Sequence, residues 1–298
     1  MSKKNFISVE GNDLQTRLAA AQTQAQTASR YWAAYKFPVR PNVSIDAGSI
    51  NSMEGSAELG TIISGNVGEH ETRSLGVFLL YGARELLRVE IYNLERERNY
   101  EGWPVYWLGE VESSESLTLL GSLLQSVKNE TMGAKLVDAI ALHESPQVEG
   151  LLSELTRSSP LVAVRAGAVF CLGRFGQNLV LVEEVAGNRV EDTYVRQQAI
   201  MAIGKSRSPG ALDALRRLSG VVEEVFLREA IVNAVAKSRH PDAKELLKTF
   251  AERSDDEGLS RRARQQLFKA SGEKSRMKEA KRKAYSHKGE AKQVKHCP

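Results

Sequence analysis

Apolar residues recur along this chain with a long period that organises more than half of it. Following one apolar position gives Ile140, Leu172, Ile203, Val235 and Leu267, separated by steps of 31 or 32 residues. About seventeen residues before each lies a second apolar marker, itself preceded by another three positions earlier: Leu120/Leu123, Leu152/Leu155, Val182/Val185, Leu215/Leu218 and Leu247/Phe250. Residues three apart are neighbours on one face of a helix, so every period holds two helical stretches. Ser158-Ser159-Pro160, Glu191-Asp192 and the run from Ser254 to Gly258 supply turns within periods. Ser145-Pro146, Ser208-Pro209-Gly210 and His240-Pro241-Asp242 supply junctions between them. Proline suits these junctions because the first turn of a helix has no use for its missing amide. The pattern predicts five antiparallel helix pairs from about Ser113 to Ala270.

The second helix of each period carries the clearest internal likeness. Val164-Arg165 through Leu172-Gly173 superposes on Val195-Arg196 through Ile203-Gly204, and Leu227-Arg228 through Val235-Ala236 follows the same plan. The Val-Arg-x-x-Ala core, the apolar-Gly ending and the period resemble bacterial HEAT repeats, including the HEAT-like repeats of phycobilin lyases. The resemblance implies a mainly α fold, a right-handed α-α superhelix of HEAT-like type. It covers a little over half of the chain and weakens towards Leu267, where Arg261, Arg262 and Arg264 crowd the second helix. Tetratricopeptide arrays have a similar period, but their Trp-Leu-Gly-Tyr and distal Pro pattern does not recur here. What the resemblance implies about function is broad, because the family includes scaffolds, transport factors, lyases and a DNA-repair branch.

One more step back from Ile140 lands on Leu108, inside Pro104-Val105-Tyr106-Trp107-Leu108-Gly109, which also ends apolar-Gly. This predicts the second helix of an incomplete unit capping the array. Trp103, Tyr106 and Trp107 would stand near that junction, either buried in an interdomain seam or lining a recognition pocket. Residues 12 to 29, rich in Ala and Gln, predict a helix too poor in apolar surface to stand alone. Alternation from Tyr31 to Val39 predicts a strand, as does Thr61 to Ser64 after the Gly/Ser/Asn-rich stretch Ala47 to Gly60. Leu75 to Tyr81 and Leu86 to Leu94, joined by Gly82-Ala83-Arg84-Glu85, predict a hairpin. The first region thus reads as a small antiparallel sheet with a helix, or else as further helix. The expected division is 1–102 for this α+β region, 103–270 for the repeats and 271–298 for a basic, disordered tail.

Composition sharpens where charge matters. With 298 residues and 42% hydrophobic content the chain can bury a sizeable core. The net charge is +4, yet residues 271–298 hold nine Lys/Arg against three Glu, leaving residues 1–270 at −2. A nearly neutral body disfavours a solenoid that tracks a phosphate backbone along its length, since such binding requires many cations. A protein partner is the expectation, with nucleic acid possible through the tail. Two cysteines, Cys171 and Cys297, give no disulfide framework. The residues after Met1 contain no secretory apolar run and no window suits a membrane-spanning helix. If Met1 is the natural start, the expected location is the cytoplasm.

Candidate chemistry is sparse. His70 lies between Glu69 and Glu71, but neighbouring residues diverge on either helix or strand and cannot form a metal site alone. His143 beside Glu144 ends a repeat helix, where a charged imidazole would meet the helix dipole. Phosphate-loop, zinc-protease, C-x-x-C and nucleophile-elbow motifs are missing, so neither a cofactor nor a metal is expected and the chain reads as a non-catalytic scaffold or adaptor. Arg165, Arg196 and Arg228 recur, with Asp192 and Glu224 four residues before the latter two, and read as a structural ladder between units. A second recurrence places Arg174, Lys205, Lys237 and Lys269 two residues after the apolar marker, with Arg207 and Arg239 two further on. Stacking would align these six on one edge. Favourable contact with helix C-termini, about 0.3–1 kcal/mol each, accounts for such cations without a partner. The alternative is a cationic rim for an acidic protein or nucleic acid.

Overall fold

A computed structural model describes residues 6–41, 43, 72, 74–95, 99–253 and 256–272. The stretch Ala47–Gly60, the strand expected at Thr61–Ser64, His70 with its flanking glutamates, and the tail from residue 273 lie outside the described residues. The chain divides into two compact units, one drawn from Met1–Leu172 and Glu191–Gln198, the other from Gly173–Val190 and Ala199–Pro298.

The first unit opens with strand β1 (Phe6–Ser8) and helix α1 (Leu14–Gln24), then strands β2 (Arg30–Phe37), β3 (Leu75–Gly82), β4 (Glu85–Asn93) and β5 (Val105–Glu110). Asp13 closes a capping box with Thr16 at the start of α1, replacing two of the amide partners that a helix end lacks. The strands form one sheet in the order β1-β5-β2-β3-β4. It is mixed, where the sequence suggested an antiparallel one: β5 runs parallel to both β1 and β2, and only β2, β3 and β4 alternate in direction. The predicted hairpin is present, and its turn residues Ala83 and Arg84 both take positive φ, the backbone a tight two-residue turn demands.

The expected capping half-unit at Leu108 is a strand instead of a helix. Val105, Tyr106, Trp107 and Leu108 are β-branched, aromatic or apolar at consecutive positions, which suits a strand covered on both faces. Gly109 has φ +93, so it does not continue a helix, and an added Cβ there would meet the Arg17 guanidinium at 2.8 Å. Arg17 Nη1 donates to the Leu108 carbonyl at 2.6 Å, tying α1 to β5.

Among the described residues, five helix pairs follow: α2 (Ser113–Ser126) with α3 (Glu130–Ala141), α4 (Gln147–Ser158) with α5 (Val162–Arg174), α6 (Leu179–Gly187) with α7 (Thr193–Lys205), α8 (Ala211–Val221) with α9 (Val225–Lys237), and α10 (Ala243–Glu252) with α11 (257–272). Ile140, Leu172, Ile203 and Val235 are fully buried, so the periodic apolar position is a core position. The apolar-Gly ending has a packing cause. A Cβ added to Gly173 would lie 2.7 Å from the Ala202 Cβ, and one added to Gly204 would lie 2.7 Å from that of Ala234. Hydrogen is the largest substituent these close helix approaches admit.

Candidate interaction surface

Two of the three repeat arginines are held by acids that arrive one repeat later. Arg165 on α5 reaches Glu191 with Nη2 at 2.9 Å and Nε at 3.3 Å, while its Nη1 donates to the Ser159 carbonyl at 2.8 Å. Arg228 on α9 meets Asp256 at 2.8 Å. Arg196 is buried, with 2% exposure, and has interactions of its own. Asp192 caps α7 by accepting from the Tyr194 amide at 2.8 Å. Glu130, at the start of α3, accepts from the Val162 and Ala163 amides of α5 at 3.2 and 2.6 Å, a carboxylate set against a helix N-terminus. Sequence reasoning missed Glu191, Asp256 and Glu130 in these roles. The signal was present for Asp256, which stands four residues before the position that continues Arg196 and Arg228 into the next period.

The three aromatic candidates do not converge. Tyr106 lies on the sheet face with Tyr31 and is edge-on to it at 5.6 Å, whereas its neighbour Trp107 faces the opposite side and packs on Phe6 at 5.7 Å. Trp103 joins that second side, 6.4 Å from Trp32, with the Arg30 guanidinium 5.1 Å above its ring. Trp32, Ala34, Phe78, Leu80, Tyr92 and Val105 form the buried cluster against which Trp103 and Trp107 pack. This is core and its margin. Across the edge of the sheet, α3 packs on β4, where burial depresses the Lys135 amine and the carboxylates of Asp138 and Glu90 oppose that shift.

His143 is also part of the core. It lies just beyond α3, 2% exposed and stacked on Phe37 at 4.0 Å. Its Nδ1 faces the Ala139 carbonyl at 2.8 Å and must donate; Nε2 then accepts from the Ser116 hydroxyl at 2.7 Å. The Tyr35 hydroxyl, 2.9 Å from Ser116, completes the chain. Burial pulls the imidazole down to about 4, so the charged form expected at the helix dipole is displaced by a neutral one. Around it, Val39 bridges His143, the Arg40 amide donates to Leu142 and the Glu144 amide donates to Pro38. These bonds clamp the end of β2 to the first helix pair.

The six cationic candidates fall together in the second unit. Arg174, Lys205 and Lys237 occupy the last turns of α5, α7 and α9, Lys269 lies on α11, and Arg207 and Arg239 follow in the junctions. All but the half-buried Arg174 are exposed.

The family model for HEAT repeats matches residues 185–267. This part of the chain is HEAT-like. The match spans α7, α8, α9 and α10 whole, together with the last turn of α6 and most of α11, and so covers the glycine contact at Gly204 and the Arg228–Asp256 pair. No curated protein matches the chain. Among the described residues, no group of three His, Cys, Asp or Glu could hold a metal ion, and no helix is long and apolar enough to cross a membrane.

Proposed function

We propose that this chain is a non-catalytic scaffold or adaptor that binds another protein through the surface of its HEAT-like helix pairs. The observation that carries this reading is a turn edge whose apolar side chains are left in solvent. Val221, Val225 and Phe226 are exposed around the α8–α9 turn, and Val190, 94% exposed, belongs to the neighbouring turn. The Arg189–Glu223 ion pair draws the two turns together. Clustered exposed apolar side chains rimmed by charge mark protein contact surfaces more often than reaction sites. In this reading Arg165 and Arg228 join neighbouring repeats, Arg196 is buried, and none of the three meets the partner.

Photo-crosslinking in the protein's own cells tests the proposal. Benzoylphenylalanine at Phe226 is expected to yield discrete protein adducts, while the same probe at Leu87, exposed on β4 in the sheet, yields few. Equal labelling at both positions, or adducts at Leu87 alone, contradicts the proposal.

A further inference from the structure

We propose that the cations at the ends of α7, α9 and α11 form a docking edge for an extended acidic segment of a partner protein, an inference that rests on the protein-binding reading above. The second helices of successive units are brought close just before these residues. Gly204 lies against Ala234, one residue before Lys205 and three before Lys237. Asn233 Oδ1 accepts from Gln266 Nε2 at 2.7 Å and from Arg262 Nε at 3.2 Å, so Lys237 and Lys269 each stand one helical turn beyond a direct α9–α11 bond. The lysines thus follow one another along the unit, with Arg207 and Arg239 beside them in the junctions.

Pairing separates four of these cations from most others of the unit. Arg189 meets Glu223, Arg217 grips Glu183 with two bonds of 2.6 and 2.7 Å, and Arg228 meets Asp256. Among the described residues, the exposed side chains of Arg207, Lys237, Arg239 and Lys269 enter no hydrogen bond or ion pair. Asp213 and Asp242, at the adjoining helix starts, are already set against Arg216 at 2.6 Å and His240 at 3.7 Å. Four uncompensated cations interleaved with two carboxylates favour a peptide over a nucleic acid, because counterion release rewards long uninterrupted cation tracks. Neighbouring packed helices lie about 8–10 Å apart. An extended polyproline-II chain advances about 3.1 Å per residue and returns to the same face every third residue, so a carboxylate at every third residue would meet successive repeats.

The test uses the full chain and a fluorescein-labelled peptide with glutamate at every third position and serine elsewhere, read by anisotropy. A second peptide has the same composition with its glutamates contiguous, and a single-stranded oligonucleotide carries equal charge. Arg207→Glu, Lys237→Glu and Arg239→Glu are combined in one variant. Lys278→Glu, Lys281→Glu and Lys283→Glu are combined in a tail variant with the same change in net charge. The proposal expects the spaced peptide to bind more tightly than the contiguous one, and the edge variant to weaken it about tenfold or more while the tail variant stays near wild type. Glutamine at the same three edge positions gives a smaller loss in the same direction and serves if the reversed variant does not fold. Equal loss in both charge-reversed variants, no preference for spacing, or preference for the oligonucleotide at physiological salt overturns it. Adducts at Phe226 in the wild type, with no preference for the spaced peptide, would sink the acidic edge and leave the scaffold reading standing, whereas absence of adducts from the wild type sinks the reading itself.

Discussion

The neutral imidazole of His143 ties stability to pH through one buried group. Its folded pKa, about 4, lies below the ordinary 6.5, so the unfolded chain binds the proton more readily. The contribution is fully present above about pH 6.5, declines as pH falls, and is exhausted near pH 4, amounting to ~3 kcal/mol in all. Urea unfolding of His143→Gln should show a shallower loss of stability than wild type across that window. Parallel profiles would contradict the neutral assignment. Arg165 makes a different prediction at the same scale. Arg165→Ala leaves the mostly buried Glu191 carboxylate without its guanidinium and should lower stability by about 1–3 kcal/mol. Arg165→Lys should recover only part, since an ammonium cannot reproduce the forked contact. An unchanged unfolding midpoint in the alanine variant would show that the pair contributes nothing to stability.

At the scale of elements, helix spacing was legible because each repeat must bury the same apolar face, and selection for that burial leaves a register in the sequence. The glycines ending those helices were legible as a motif, but not as a cause; only the approach of Ala202 and Ala234 supplies one. Gly204→Ala should therefore destabilise by about 1–3 kcal/mol through overpacking. Gly121→Ala, in α2 with open space at its Cβ, should be neutral or stabilising by up to ~1 kcal/mol. Thermal melts of the two variants check the contrast, and a shift of the same sign in both would refute it. The Val105–Glu110 strand escaped sequence reasoning for an instructive reason. Its apolar-Gly ending fell on the repeat register, and a strand buried on both faces shows no alternation to identify it. Parallel pairing of β5 with β1 and β2 likewise depends on partners distant in sequence, which no local pattern records.

For the molecule as a whole, the recurring charges were legible as positions and not as relationships. Arg165 and Lys237 recur with the same period, yet the first is sequestered by Glu191 and the second faces solvent. Three-dimensional pairing alone separates a cation that joins units from one available to a partner. Trp103, Tyr106 and Trp107, close in sequence, could be read as a buried seam or as a pocket, but adjacent strand residues point to opposite faces, which sets Tyr106 apart from Trp107. In the proposed function the helix pairs, and not the aromatic margin of the sheet, contact the partner. Hydrogen–deuterium exchange of the full chain, alone and bound to a partner captured by crosslinking, tests it directly. New protection is expected on the α8–α9 turn and the helix ends near Lys237 and Lys269, with strands β2 and β5 unchanged. Protection confined to the sheet around Trp103 and Trp107, with the helix pairs unaffected, would contradict it.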